Sequence, residues 1–446
     1  MNDGLTAAES RTPVVRRRFA VQIGWTLAVR LLMTANSVVA GIIVARWLGA
    51  EGLGQLGVIN VSVAMVVQLG SAGLPSANTY FIAKDQTRLL AVALNSLLFA
   101  LLVGTVLAFA LTTTAQLRPD WFGFISPELV KIAAISIPFQ LVTLIGLNIF
   151  LAVGDVRRFN LLDLSGQSFV LINAVVALIV LNSGLPTLVT FNAATSVAVG
   201  VVIAVLVAMH AAKIKAGLSR WRMDLYLLGR MIRYGLKFHI SIVAGAMMFR
   251  ADLLLVNHFH GAAEAGVYSV ASQVGLMLMM LPGVIATLLF PRITAEQDLH
   301  GTTTARVTRH TAFVMLFICL AAAPLSFVLP LLYGPAFSDV SIQLLILLPG
   351  VYLIGVQSVL AQHFNATGLP ATVPAFWLST LFVHVALLIV LVPPLGGRGA
   401  ALASMLSYVM IFILMLLYFR SSTGKSLSST LLVTSDELRN LIHLNR

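Results

Sequence analysis

The segment TLAVRLLMTANSVVAGIIVA, residues 26–45, sets the environment in which the whole chain folds. Apart from Arg30 it is apolar, and about 20 such residues in a helix cross a hydrocarbon layer about 30 Å thick. No other residue between Arg18 and Arg46 is charged. An arginine at the centre of a membrane helix is costly unless a partner, water or a ligand meets it. The segment therefore predicts a membrane helix whose arginine has a specific role.

The composition extends this prediction to most of the chain. Of 446 residues, 59% are hydrophobic and only 10% are charged, with a mean hydropathy of +0.96. Soluble domains carry about 25% charged residues, so the bilayer is the solvent for most of this chain. The net charge of +12 follows from basic cytoplasmic loops and gives no reason to expect nucleic acid as a partner. The single cysteine, Cys319, leaves no disulfide within the chain.

Apolar stretches of about 20 residues recur roughly twelve times, which predicts an all-α polytopic membrane protein. The expected spans are 19–47, 55–83, 89–111, 129–152, 162–182, 186–209, 238–259, 265–290, 309–332, 340–365, 371–393 and 399–419.

The basic residues predict the orientation of these spans. With the N-terminus inside, 22 of the 28 Lys and Arg residues lie on the cytoplasmic side, and only Arg46, Arg118 and Arg398 fall in external loops. This asymmetry favours an even number of spans and two cytoplasmic termini. The expected segments are an N-terminal tail (1–18), an N-lobe (19–209), a linker (210–237), a C-lobe (238–419) and a C-terminal tail (420–446).

The linker is the longest hydrophilic interruption of the chain. From Asp224 onward it is amphipathic, with Leu228 and Met231 opposite Arg230 and Arg233. Such a helix is expected to lie on the cytoplasmic membrane interface and to join the two lobes.

The two halves of the chain are related at an offset of 212 residues. Six spans in each half keep both halves in one orientation, so a pseudo-twofold axis along the membrane normal and a central cavity are expected. The matched positions are Val44 and Val256, Gly49 and Gly261, Ala50 and Ala262, Gly54 and Gly266, Gly184 and Gly396, and, at an offset of 214, 152–154 and 366–368.

Two deep arginines are the first candidates for function. Arg30 lies 12 residues beyond Arg18, or about 18 Å along a helix, and Arg250 is similarly deep in the seventh span. A guanidinium matches phosphate well, so a cavity holding both would favour an anion such as a phosphate. For Arg30, pairing with an acid or with helix-end carbonyls is the structural alternative.

Asp252 is the candidate for a coupling residue or a charge partner. It lies about 200° around the helix from Arg250, so it is better placed to pair with an arginine of another helix, such as Arg30. Lys131, near the external end of the fourth span, can reach the interface by snorkelling. Neutral polar groups suit a cavity for a hydroxyl-rich ligand, although interhelical hydrogen bonds explain each of them equally well. These residues are Thr26, Thr34, Asn60, Gln68, Gln357 and Gln362.

Several sequence features of enzymes are absent from the chain. It has no G-x-x-x-x-G-K-[ST] loop, no His/Cys cluster with metal-ligand spacing and no predicted external segment longer than about 20 residues. We therefore expect a protein that is not an enzyme and needs neither a metal nor a cofactor.

Four segments resemble a known family. ARWLGAEGLGQLGVI (45–59) and RADLLLVNHFHGAAEAGVYSVA (250–271) are similar to the two half-repeat signatures of polysaccharide flippases. LLFPRIT (288–294) and GGRGAALASMLSY (396–408) also fit. These flippases belong to the multidrug/oligosaccharidyl-lipid/polysaccharide (MOP) exporter superfamily.

The resemblance implies twelve helices in two lobes around a cavity, in a bacterial cytoplasmic membrane. It implies alternating-access transfer of an undecaprenyl-pyrophosphate-linked oligosaccharide to the periplasmic leaflet, for O-antigen or exopolysaccharide synthesis. The implied partners are that lipid-linked substrate, membrane lipids, and a polysaccharide polymerase with its chain-length machinery. Related lipid II flippases use cavity arginines for the pyrophosphate, which is the role expected of Arg30 and Arg250. Asp252 matches an acidic position of the family, but Leu253 follows it where relatives often have a basic residue.

Two alternatives remain open at this point. A cation-coupled drug or metabolite antiporter of the same superfamily would share the fold but predicts an acidic cavity, whereas the first span has no acid. A membrane polysaccharide polymerase or ligase predicts a long periplasmic loop.

Overall fold

The structure is a computed structural model that describes residues 13–433 except 124, 214–222, 297 and 299. Residues 1–12 of the expected N-terminal tail and 434–446 of the expected C-terminal tail lie outside this range. Within it, the regular structure is helical. The α-helices are α1 (Pro13–Gly70), α2 (Leu74–Lys84), α3 (Leu89–Leu117), α4 (Pro127–Ala134), α5 (Ile137–Ala152), α6 (Val156–Ala174), α7 (Leu185–Lys213), α8 (Leu225–Met248), α9 (Ala251–Leu278), α10 (Met280–Glu296), α11 (Thr302–Leu325), α12 (Leu329–Tyr333), α13 (Val340–Ala366), α14 (Thr372–Thr423) and α15 (Leu427–Leu431).

The described residues contain nine helical stretches that are long and apolar enough to cross a membrane. Three of them, Trp25–Gly70, His239–Phe290 and Thr372–Thr423, have 46, 52 and 52 residues. Because one crossing takes about 20 residues, each of these three makes two crossings, which gives twelve in all. The prediction of an all-α, multi-pass membrane protein of about twelve spans is confirmed.

Two of the matched glycine pairs share a positive φ, whereas of Gly184 and Gly396 only Gly396 has one, of 57°. Gly49 (φ 70°, ψ −173°) reverses the chain between the first two spans, and Gly261 (φ 82°, ψ 177°) does so between the seventh and eighth. Gly154 and Gly368 also share a positive φ, of 81° and 107°. A side chain disfavours this backbone region, so glycine is the residue that fits these turns. The two lobes are therefore pseudo-symmetric.

The lobes touch each other backbone to backbone at both ends of the second span, where Gly73 meets Gly235 of α8 at one end and a reciprocal pair of glycines meets at the other. A β-carbon on Gly54 would lie 1.7 Å from the carbonyl oxygen of Ala262, and one on Gly266 would lie 2.0 Å from that of Ala50. Glycine at both positions lets the starts of the second and eighth spans approach each other at this distance. We call this reciprocal arrangement the glycine contact.

Side chains add to the closure at the end with the glycine contact. His258 Nδ1 lies 3.0 Å from the carbonyl oxygen of Asp120, which joins α9 to the loop after α3. The guanidinium of Arg46 donates to the carbonyl oxygens of Leu331 and Leu332, which joins the first span to α12. Both connections run between lobes, so the cavity is closed on this side.

Helix α8 begins where the amphipathic linker is expected. Asp224 caps its first turn, accepting from the amide of Leu227 at 2.9 Å. The side chain of Asn95 in α3 bonds both the amide nitrogen and the carbonyl oxygen of Asp224, each at 2.9 Å. These bonds attach the start of α8 to the N-lobe.

The position of this helix differs from the expectation of a separate interfacial segment. Its apolar residues Leu228 and Met231 are buried, and Tyr234 stacks on Tyr80 of α2 with ring centroids 4.3 Å apart. The apolar face thus packs on protein, and the helix continues without a break into the seventh span. Burying this face against α2 and α3 removes it from lipid, which explains the difference.

Candidate functional site

A cavity of about 550 Å³ lies between the lobes, on the inner side of the glycine contact. A second cavity of about 410 Å³ adjoins it and includes residues of α1, α5, α6 and α7 in its wall. The two share part of their lining and therefore adjoin each other. The shared residues are Ala64, Gln140, Gln167, Ser196 and Arg250.

Arg250 occupies a break in the seventh span. Helix α8 ends at Met248, and α9 starts at Ala251. Arg250 between them has φ −136° and ψ −25°, outside the helical range. Its side chain is accessible from both cavities and has neither an ion pair nor a hydrogen bond with the described residues. The α9 amides and the guanidinium thus place positive charge at the junction of the cavities.

Arg30 is paired with an acid that the sequence analysis did not single out. Its Nη2 lies 3.5 Å from Oδ2 of Asp163 in α6, and the two side chains are 46% and 21% exposed. Asp163 lines the second cavity, so the pair stands at the edge of the site. Of the two roles considered for Arg30, the structure therefore displays pairing with an acid. Asp163 lies at the start of an expected span, near Arg157 and Arg158, so it lacks the central position that singled out Arg30.

Asp163 adds an acid to the deep charges that the sequence indicates. The sequence offers Arg30, Arg250 and Asp252 as candidates, whereas the structure places two acids and two arginines in this region. The formal charges of the site sum to zero, so whether it prefers an anion or a cation depends on which of these charges has no partner.

Asp252 is enclosed by hydrogen bonds. It is 1% exposed and accepts from the hydroxyl of Tyr268 at 2.5 Å and from Ser404 Oγ at 3.2 Å. Its other oxygen accepts from the amide of Leu253 at 2.8 Å. It therefore pairs with neither arginine, and its charge is stabilised inside the C-lobe. Arg250 remains the accessible charge without a partner among the residues that line the two cavities.

The expected polar residues divide into two groups. Asn60 lines the first cavity and Gln68 the second. The other four are not among the lining residues of these cavities: three of them bond neighbouring groups, and Gln357 is buried within the C-lobe. Thr26 accepts from Asn160, Thr34 donates to the carbonyl of Arg30, Gln357 is buried, and Gln362 donates to the carbonyl of Ser358. Outside both cavities, exposed Lys131 lies 3.9 Å from Glu128.

Other polar residues of the site were not predicted. Three of them are held by neighbours: Gln140 donates to Ser136 Oγ at 2.9 Å, Gln273 donates to Ser37 Oγ at 3.0 Å, and Asn192 accepts from Asn173 at 2.9 Å. Gln167 and Ser196 make no side-chain hydrogen bond with the described residues. In the sequence each of them is only a polar residue in an apolar span, a pattern that occurs at many positions. The described residues hold no group of three or more His, Cys, Asp or Glu side chains suited to a metal ion.

The fold and the cavity define a two-lobed, multi-pass membrane protein with a cavity between its lobes. The lipid II flippase MurJ in an inward closed conformation superimposes with a TM-score of 0.73 at 16% identity, covering 96% of this chain and 91% of that one. An inward-facing multidrug resistance MATE family transporter of the MOP superfamily gives 0.71 at 17% identity, covering 88% and 94%. The outward-facing conformation of a multidrug resistance MATE family transporter gives 0.62. The fold is thus that of the MOP superfamily.

Residues 20–297 match the family model of polysaccharide biosynthesis proteins, and the chain belongs to this family. It is 23% identical over 294 residues to the "Probable multidrug resistance protein YoeA" of Bacillus subtilis. It is 28% identical over 173 residues to the "Probable flippase AglR" of Haloferax volcanii. These matches span 62% and 36% of this chain and 63% and 36% of the two relatives, less than two thirds of either.

Proposed function

We propose that this protein moves a lipid-linked oligosaccharide, carried on undecaprenyl pyrophosphate, from the cytoplasmic to the periplasmic leaflet. The observation that carries the proposal is the free guanidinium of Arg250 at the junction of two polar cavities between the lobes. Membership of the polysaccharide biosynthesis family supports the class of cargo. The product would serve a cell-surface polysaccharide such as O-antigen or exopolysaccharide.

The chemistry of this cargo matches the site. A pyrophosphate presents several oxygens that a guanidinium binds through charge-assisted hydrogen bonds. The attached sugars present hydroxyl groups for carboxamides such as Asn60 and Gln68, while the polyprenyl tail stays in lipid. Moving such a head group through hydrocarbon without a polar path is prohibitive, and the cavity supplies that path. Transfer between leaflets makes and breaks no covalent bond, so the protein acts without catalysis.

The orientation follows from the basic residues. With both termini in the cytoplasm of a bacterium, the glycine contact closes the periplasmic end, and the cargo would enter from the cytoplasmic end, where Gly73 and Gly235 would have to separate. Rocking of the lobes would then release the cargo outside, where a polymerase and its chain-length machinery would receive it.

A cation-coupled drug antiporter is the second candidate, because Asp163 places a carboxylate in the second cavity. Arg30 neutralises that carboxylate at 3.5 Å, and Asp252 is enclosed by Tyr268 and Ser404. Neither acid is free for a cationic drug, whereas Arg250 is free for an anion. The sign of the preferred ligand therefore separates the two functions.

Binding to purified protein in lipid nanodiscs tests this difference. The probes are farnesyl pyrophosphate, a short-chain lipid pyrophosphate, and tetraphenylphosphonium, a lipophilic cation. We expect wild type to bind the pyrophosphate, and Arg250→Gln to weaken it by about 10- to 150-fold, because a hydrogen bond to a charged group contributes about 1.5–3 kcal/mol.

Lys131→Gln is the matched control, because it removes the same charge outside the cavities and should leave the affinity unchanged. Binding of the cation without the pyrophosphate would support the antiporter instead. Equal pyrophosphate affinity in wild type and Arg250→Gln would remove Arg250 from the site.

A further inference from the structure

Four uncharged polar side chains of the second cavity, Gln68, Thr143, Gln167 and Ser196, make no side-chain hydrogen bond with any described residue. Polar side chains inside membrane proteins usually bond another protein group, as Gln140 does with Ser136 in the same wall. The two long carboxamides, Gln68 and Gln167, and the hydroxyl of Ser196, which also lines the first cavity, are therefore available to a ligand.

These groups come from three different helices of the N-lobe. Gln68 lies on α1, Gln167 on α6 and Ser196 on α7. Gln167 and Ser196 line both cavities, as Arg250 does, so they lie at the junction. A group linked covalently to an anion on Arg250 and extending into the second cavity would therefore pass along these side chains. Between them, two carboxamides and a hydroxyl supply both donors and acceptors, which matches the hydroxyl and N-acetyl groups of a sugar.

The charges of the junction restrict which sugar fits. An anion on Arg250 uses the one free cation among the residues lining the two cavities. Arg30 already neutralises Asp163 at 3.5 Å. A carboxylate on the sugar would then stand beside Asp163 with no cation of its own, and an uncompensated charge away from bulk water is costly.

We propose that Gln68, Gln167 and Ser196 form the subsite for the sugar bonded directly to the pyrophosphate, and that this sugar is uncharged. The inference rests on the proposed function, because it takes Arg250 as the pyrophosphate ligand. A volume of about 410 Å³ is in the usual range for a small-molecule site. More distal sugars are not constrained by this subsite.

Three probes on purified protein in nanodiscs test the subsite. They are farnesyl pyrophosphate alone, the same lipid carrying N-acetylglucosamine, and the same lipid carrying glucuronate. In wild type the N-acetylglucosamine compound should bind at least about 10-fold more tightly than the other two, from two or more hydrogen bonds of about 0.5–1.5 kcal/mol each.

Gln167→Leu and Ser196→Ala should each reduce this gain by about 2- to 10-fold and leave the affinity for farnesyl pyrophosphate alone unchanged. That unchanged affinity also shows that the variants fold. Gln362→Leu is the matched control, because Gln362 bonds a carbonyl of its own helix and lines neither cavity, so it should behave as wild type.

The outcomes separate this inference from the proposed function. Failure of wild type to bind any of the three lipids overturns both. Binding of farnesyl pyrophosphate with no gain from N-acetylglucosamine overturns the subsite alone. A gain that survives both substitutions does the same, and glucuronate binding as tightly as N-acetylglucosamine overturns the preference for an uncharged sugar.

Discussion

Replacing Gly54 with alanine is expected to open the molecule at the glycine contact. The added β-carbon would lie 1.7 Å from the carbonyl oxygen of Ala262 and 2.8 Å from the amide nitrogen of Gly266. Since β-carbons essentially never come within 3.0 Å of other heavy atoms, the carbonyl oxygen must retreat by about 1.3 Å. The obstructing atoms are backbone, so no side-chain rotation relieves the contact, and the lobes have to separate.

The magnitude follows from the cost of overpacking, which is about 1–3 kcal/mol for an added carbon in a tight contact. This cost applies only to the conformation in which the glycine contact is formed. A conformation that is open at this end escapes it. The equilibrium between the two should therefore shift toward the open form by about 5- to 150-fold.

Distances between spin labels on the two lobes measure this shift. Cys319 is the only cysteine, so Cys319→Ser gives a background without thiols. Labels attached through Leu117→Cys and Leu331→Cys report on the end with the glycine contact, because both side chains are exposed there on different lobes. In nanodiscs, Gly54→Ala should raise the population of long distances between them.

Gly57→Ala, one turn along the same helix, is the control for this experiment. Its β-carbon would lie 3.4 Å from Leu253 Cδ2, an ordinary contact, so its distances should match those of wild type. The reasoning is refuted by unchanged distances in Gly54→Ala, or by the same shift in Gly57→Ala.

Two further predictions concern the acids of the site. Asp163→Asn frees Arg30 from its neutralising partner and should raise the affinity for farnesyl pyrophosphate about 2- to 5-fold at low salt, an amount typical of one ion pair. A titration that shows weaker binding would mean that Asp163 instead positions Arg30 for the ligand. Asp252→Ala leaves the hydroxyl donors that face it unsatisfied and should destabilise the protein by about 1–3 kcal/mol, seen as a lower thermal midpoint. Its affinity for farnesyl pyrophosphate should stay within twofold of wild type, and a larger loss would give the carboxylate a role in the cavity.

The spans and the lobes could be predicted because a membrane permits few backbone structures. Every backbone polar group in lipid must be bonded within the protein, so a long apolar stretch becomes a helix. The repeat was visible through Gly49 and Gly261 because a left-handed backbone position retains glycine in both halves. These features depend on local sequence and on the solvent, and both can be read along the chain.

The cavity lining could be predicted only in part, because hydropathy does not fix how each helix is rotated about its axis. Arg250 and Asn60 face the cavity, whereas Gln357 and Gln362, equally polar, do not line it. Gln167 was not singled out, since one glutamine in an apolar span gives the same signal wherever it points. The break that exposes Arg250 was also not predicted, because no proline or glycine marks it.

Pairings between distant helices were the least accessible from the sequence. Arg30 and Asp163 are 133 positions apart, and nothing in either local segment names the other as its partner. Asp252 was proposed as a partner for an arginine, yet it accepts hydrogen bonds from a tyrosine and a serine instead. Such pairings depend on the packing of whole helices, which a single sequence does not specify.

The glycine contact bears on how this chain arose. Gly54 meets Ala262, and Gly266 meets Ala50, so the contact maps onto itself under the 212-residue repeat. If an ancestral half-chain assembled as a dimer, this glycine faced its own copy across the twofold axis. Fusion of the two halves let each position vary separately, but the shared space still ties them together. A side chain gained at one glycine cannot be offset by a smaller residue at the other, because glycine is already the smallest. In such a history, the requirement for glycine at both positions would be older than the single chain.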